Sequence, residues 1–188
     1  MNINRIFLDL DGVLADWSSA AIRAHGLDPF KVHERWRPGE YDLADVLGMS
    51  GNKMWQPVND AGEDFWANLQ PYPWCMDLTS LCTSLARTTI LTSPSKDPAA
   101  AAGKTRWLQA QFGSGFRAYL IGPDKASCGR PGAVLIDDAD KNCDAFRAEG
   151  GAAILFPQRW NSAHRHTEDR MFPVTFCLRN MVGPVSEP

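Results

Sequence analysis

Four aspartates, a Thr-Ser pair and a lysine fall where a folded chain does chemistry. The run RIFLDLDGVLADW (5–17) ends an apolar stretch with Asp9 and Asp11, one residue apart, followed by Gly12 and later Asp16. A second apolar run, AVLIDD, ends in Asp137-Asp138. Crowded together, these carboxylates would repel one another unless a cation neutralised them. Hard oxygen ligands select Mg²⁺, which keeps waters and shares a substrate phosphate. Thr92-Ser93 in ILTSPS and Lys125 in GPDK supply donors suited to phosphate oxygens. A metal with carboxylates on one side and donors on the other suits phosphoryl transfer, where positioning and charge stabilisation do most of the work.

The elements that must carry these residues are readable from periodicity. Arg5 to Leu10 has the continuous apolar pattern of a strand covered on both faces. Helix is expected over 17–25, stopped by Gly26, and over 77–86, 99–112 and 140–149; strand over 88–91, 117–121, 133–136 and 152–156. Strands alternating with helices imply a parallel sheet with right-handed crossovers, the first strand in its middle and helices on both faces. Residues 17–74 break this alternation. They are irregular and rich in Trp, Gly and Pro, with helical pieces expected near 42–47 and 59–69. The expected division is an α/β core over 1–16 and 75–188 with a helical cap over 17–74. The tail from Pro157 carries no clear pattern.

In such sheets ligands bind beyond the carboxyl ends of the strands. Asp and Ser also cap helices and start turns, but here acids, hydroxyls and a lysine recur at four successive strand ends. The chain has 188 residues, 44% hydrophobic and 22% charged, which bounds it to one compact unit and excludes wholesale disorder. A net charge of −3 gives no general pull on nucleic acid or anionic membrane. Cys75, Cys82, Cys128, Cys143 and Cys177 are odd in number and lack a C-x-x-C pair, so reduced thiols are expected rather than disulfides or zinc. With no signal-like start and no bilayer-length apolar run, a cytoplasmic location is expected.

The series DLDGVLAD, ILTSPS, Lys104 in GKTRWL and LIDD resembles the four motifs of the haloacid dehalogenase superfamily of Mg²⁺-dependent phosphotransferases. Over residues 5–156 the chain looks more narrowly like the 5′(3′)-deoxyribonucleotidases, although DDADKN lacks an arginine directly after the acid pair. The resemblance implies an aspartyl-phosphate formed on Asp9. Asp11 would protonate the leaving oxygen, later activate water, and lend its backbone carbonyl to Mg²⁺. Thr92 and Ser93 would bind phosphoryl oxygens. Lys104 matches the motif lysine that pairs with the nucleophile and the phosphate, and Lys125 a second phosphate-side lysine. Asp138 would complete the metal shell with Asp137 beside it, or the reverse.

The implied partner is a small phosphomonoester, in particular a nucleoside monophosphate; a homodimer is compatible with the resemblance. Of the aromatic residues in 17–74 (Trp17, Trp36, Tyr41, Trp55, Phe65 and Trp66), any one is more simply core, but a base needs a flat platform. Trp17 and Trp66 align best with aromatic positions of the nucleotidase pocket. His164 and His166 read as surface residues. The alternatives are a phosphatase of another phosphomonoester such as a sugar phosphate, and a non-catalytic nucleotide-binding protein. A signalling receiver domain uses similar residues, with the acid pair early and the phosphorylated Asp late, the reverse of this chain.

Overall fold

Ile6, Phe7 and Leu8 are all apolar because the strand they form is covered on both faces. The computed structural model describes residues 3–182. In it β1 (Arg5–Leu8) is the middle strand of a five-stranded parallel sheet with β2 (Arg87–Thr92), β3 (Tyr119–Ile121), β4 (Ala133–Asp137) and β5 (Ala152–Leu155), in the order β3-β2-β1-β4-β5. Ile6 stands opposite Thr88 on one side and Val134 on the other. The side chains alternate with the period of two that a strand imposes. Ile6 and Leu8 join one apolar cluster and Phe7 a second.

Eight helices complete the described chain: α1 (Trp17–Ala24), α2 (Pro29–Arg35), α3 (Leu43–Leu47), α4 (Gly51–Ala67), α5 (Cys75–Leu85), α6 (Ala99–Phe112), α7 (Asp140–Ala148) and α8 (Met171–Val182). The sheet grows outward from β1 in both directions, so right-handed crossovers send helices to opposite faces. Leu78 and Cys82 of α5 and Trp107 and Leu108 of α6 pack in the cluster of Ile6. Cys143 and Phe146 of α7 pack in that of Phe7. The α/β fold expected from the sequence is the fold observed. None of the described helices is long and apolar enough to cross a membrane.

The irregular texture of residues 17–74 conceals α2 and the first half of α4. Helix α2 is short and buries only Val32, so it shows no apolar repeat. Its start is set instead by Asp28, which accepts from the Phe30 N–H at 2.9 Å, and by Pro29 in the first turn. Helix α4 contains Pro57 and bends at Gly62 (φ +58°, ψ −136°), which breaks one pattern into two. Beyond the bend α4 lies against α6. A Cβ on Gly103 would stand 2.4 Å from the Glu63 carbonyl oxygen and 2.6 Å from Trp66 Cβ. The missing side chain at Gly103 is what lets the two helices meet, and it brings Trp66 over its neighbour Lys104, whose Nζ is 4.9 Å from the indole centre.

Candidate active site

The direction of the connections reverses beside β1, and the crevice between the ends of β1 and β4 is where such a sheet admits a ligand. Asp9 and Asp11 leave β1 there, and Asp137 and Asp138 end β4. The loop after β1 is tight: the Leu10 carbonyl accepts from the N–H groups of Leu14 and Ala15, each at 2.8 Å. Gly12 has φ +76°, and a Cβ on it would stand 2.2 Å from Asp138 Oδ2. Only glycine allows both that backbone and that approach. Asp16, the last acid of the opening run, caps α1 by accepting from the Ser19 N–H at 3.0 Å.

Asp9, Asp137 and Asp138 are buried, with carboxylate oxygens within 4.8 Å of one another. One cation lies among them: Lys125 Nζ is 2.6 Å from Asp9 Oδ1 and 2.6 Å from Asp137 Oδ2. At 4% exposure Lys125 is not a solvated surface residue. The acid pair divides its labour. Asp137 Oδ1 accepts from the Ala139 N–H (2.9 Å) and Asn142 Nδ2 (3.0 Å), so both its oxygens are engaged and its carboxylate is fully buried. Asp138 Oδ2 accepts from Trp160 Nε1 at 2.7 Å, its Oδ1 has no hydrogen-bond partner among the described residues, and its side chain lines the cavity.

Three acids against one lysine leave uncompensated negative charge. Burial pushes the Asp9 carboxyl up to about 7; Lys125 pulls it down, and Asp137 and Asp11 add to the rise. Burial, then Asp137 and Asp9, likewise raise Asp138 well above the carboxylate range. The same acids raise Lys125, against the effect of its own burial. A divalent cation fits this cluster, since hard oxygens with excess charge are the donor set it requires.

Lys104 occupies a different place from the one the resemblance implies. Its ammonium bonds Asp11 Oδ2, the Thr92 hydroxyl (2.8 Å) and the Ser93 carbonyl (2.6 Å), while the ion pair to Asp9 belongs to Lys125. The reason is register. Lys104 rises from α6 beneath the end of β2, whereas Lys125 follows β3 and reaches across the sheet end to β1 and β4. Thr92 and Lys104 are wholly buried and do not line the cavity; Ser93 does, its hydroxyl donating to the Gly122 carbonyl at 3.3 Å. Asp11 Oδ1 is buried with no partner among the described residues.

The cavity has a volume of about 490 Å³. Asp9, Asp11, Ser93, Lys125 and Asp138 share its lining with Trp17, Trp36, Tyr41, Trp55 and Trp66; Phe65 is edge-on to Trp66 at 5.2 Å. The Trp17 and Trp55 rings are 5.5 Å apart and those of Trp55 and Trp66 6.5 Å, a continuous aromatic wall. Trp17 Nε1 is buried with no partner among the described residues. Sequence reasoning missed Gln158, Trp160 and Asn161. Gln158 Nε2 donates to the Gly12 carbonyl, and Asn161 Nδ2 to the carbonyls of Asp138 and Phe156, each at 2.8 Å. They form no motif, and position is their only signal: they follow β5, a fifth strand end. His164 bonds the Asn161 carbonyl, and His166 is exposed.

Residues 2–173 match the family model described as 5′ nucleotidase, deoxy (pyrimidine), cytosolic type C protein (NT5C). No curated protein matches the chain. Among solved structures it resembles a protein of Clostridium acetobutylicum described as a predicted phosphatase (10% identity, 96% of this chain and 100% of that one, TM-score 0.60). It also resembles a HAD family hydrolase of Deinococcus radiodurans with bound phosphate and sodium (14%, 88% and 87%, TM-score 0.53). A third is a HAD hydrolase of Bacillus subtilis bound to magnesium (10%, 83% and 87%, TM-score 0.52). At these identities the likeness is one of fold.

Proposed function

The chain belongs to the 5′ nucleotidase, deoxy (pyrimidine), cytosolic type C family of haloacid dehalogenase-like phosphatases, and on that premise we propose that it is a Mg²⁺-dependent 5′-nucleotidase acting on (deoxy)ribonucleoside monophosphates. The observation that carries this reading is the composition of one cavity. Carboxylates, a lysine and a serine share its lining with an aromatic wall, in which the Trp17 indole N–H has no partner among the described residues. A volume of about 490 Å³ suits a ligand of nucleotide size.

The Asp9 carboxylate attacks phosphorus and the ester oxygen leaves, forming an aspartyl-phosphate. Lys125 holds Asp9 in place, and Asp137 holds Lys125. Asp11 gives its proton to the departing alkoxide, whose own basicity would otherwise make it a poor leaving group. As a carboxylate Asp11 then takes a proton from the water that attacks phosphorus, and inorganic phosphate departs with Asp9 regenerated. Lys104, braced by Thr92, positions Asp11, and Ser93 contacts the phosphoryl oxygens. Asp9, the Asp11 carbonyl and Asp138 would hold Mg²⁺, which when bound neutralises phosphoryl charge; the free Oδ1 favours Asp138 over Asp137 as ligand. Residues 17–74 act as the cap over a core of 1–16 and 75–188, with Trp17 and Trp55 taking the base and the buried Trp66 backing Trp55.

The test is phosphate release from a panel of nucleoside monophosphates, sugar phosphates and p-nitrophenyl phosphate, in Mg²⁺ and in EDTA. Release confined to Mg²⁺ and fastest per mole of nucleotide supports the proposal. Equal rates on sugar phosphates would reassign the protein to another phosphomonoester, and binding without release would make it a nucleotide-binding protein.

A further inference from the structure

A second cavity, of about 280 Å³, shares Trp160 with the first as a lining residue. Its walls carry Asp16, His33, Arg159 and Arg170 as charged or titratable groups, with hydroxyls from Ser19, Tyr72 and Thr167. The one acid, Asp16, accepts on Oδ1 from the Ser19 N–H (3.0 Å), the Ser18 hydroxyl (3.2 Å) and the Tyr72 hydroxyl (3.3 Å), so a single carboxylate charge stands against two guanidiniums. The arginines' hydrogen bonds all go to backbone carbonyls. Arg159 Nε donates to the Trp36 carbonyl at 2.5 Å and Nη2 to that of Glu34 at 3.5 Å; Arg170 Nε donates to the Pro157 carbonyl at 3.0 Å. The Arg170 guanidinium also lies 5.2 Å from the Trp74 ring centre.

Neither arginine makes an ion pair among the described residues. Each therefore keeps terminal N–H groups in the planar arrangement that suits tetrahedral oxyanions. Burial lowers Arg170 from its ordinary value, with Tyr72 and Asp16 offsetting part of that, so the cavity holds a cation short of compensation. Burial, with the two guanidiniums adding to it against Asp16, keeps His33 toward its neutral form, able to share a proton with a ligand; its Nε2 is 3.4 Å from the Ser19 hydroxyl.

We propose that this cavity is a second ligand site, separate from the phosphatase centre, which binds a small doubly charged oxyanion, sulfate or a phosphoryl group, between Arg159 and Arg170. The volume exceeds what a lone oxyanion fills, leaving room for a few further atoms of a small organic phosphate.

Equilibrium dialysis of labelled sulfate against the whole chain in EDTA tests this. Without divalent cation the carboxylate-rich cavity repels a dianion, so binding reports the second cavity, and no activity enters the readout. One sulfate per chain is expected. Arg170→Gln should weaken it at least tenfold, and so should Thr167→Asp, which adds a repelling charge while leaving the packing of Arg170 on Trp74 intact. Displacement by glycerol phosphate at lower concentration than by inorganic phosphate would mark the ligand as an organic phosphate; the reverse order would mark it as the free anion. No saturable binding, or binding unchanged in folded Arg170→Gln and Thr167→Asp, overturns the proposal.

Discussion

Replacing Gly12 by alanine should separate the strain of a turn from the placing of an acid. Gly12 has φ +76°, and its Cβ would meet Asp138 Oδ2 at 2.2 Å and the Trp160 ring at 3.1 Å. Gly26 has φ +69° with nothing within 4 Å of its Cβ, so Gly26→Ala is the matched control. Both variants carry the left-handed cost of about 1–2 kcal/mol. Only Gly12→Ala must also push Asp138 aside, stretching its bond from Trp160, and a hydrogen bond to a charged group contributes about 1.5–3 kcal/mol. At about 2–4 °C per kcal/mol for a chain of this size, Tm should fall by roughly 5–20 °C in Gly12→Ala and roughly 2–8 °C in Gly26→Ala. Displacing an active-site acid by about 1 Å costs on the order of a hundredfold in rate. Hydrolysis of p-nitrophenyl phosphate in Mg²⁺ should therefore fall about that much in Gly12→Ala alone. Equal kcat in the two variants would refute the claim that Gly12 is small in order to seat Asp138.

Asp11→Asn should slow hydrolysis of a nucleoside monophosphate far more than that of p-nitrophenyl phosphate, whose leaving group scarcely needs a proton; steady-state rates on the two compare them. Trp17→Ala should raise KM for a nucleoside monophosphate by about ten- to a hundredfold, the worth of one base stack, and leave an aryl phosphate nearly unchanged. Trp66 is only 3% exposed, so Trp66→Ala should instead lose about 3–5 kcal/mol in urea unfolding and impair both substrates. The raised Asp9 carboxyl (about 7) keeps its proton in the fold where the unfolded chain has lost it. Its stabilising contribution is thus present in acid and is lost as pH rises from the ordinary carboxylate range toward 7. In EDTA, wild-type stability relative to Asp9→Asn should fall over that window in urea melts, and added Mg²⁺ should oppose the fall.

Much of the fold was legible because buried parallel strands announce themselves. IFL (6–8) and AVLI (133–136) are unbroken apolar runs, and each ends where its acids begin. Helix α6 was legible over its whole length, since its alanines favour helix and Gly113 stops it. Helix α2 was hidden because only Val32 of its seven residues turns inward. At the site, the four acids could be seen to converge, but not which lysine meets which acid. Lys104 and Lys125 both follow strand ends, and their partners are decided by how α6 and the β3 loop sit across the sheet. Trp160 and Asn161 left no motif at all, because their roles rest on contacts to Asp138 some twenty residues away that only the closed sheet end creates.

If Asp9 takes the phosphoryl group, it carries a covalent phosphoryl intermediate during turnover. Acid quenching of the enzyme during turnover of a labelled nucleoside monophosphate in Mg²⁺, followed by borohydride reduction and peptide mass spectrometry, tests it directly. Wild type should hold phosphoryl label after the acid quench, release it as phosphate on reduction and yield homoserine at residue 9 in the tryptic peptide of residues 6–23, and Asp9→Asn should do none of these. Turnover with no trapped label, or label carried by another residue, would contradict it.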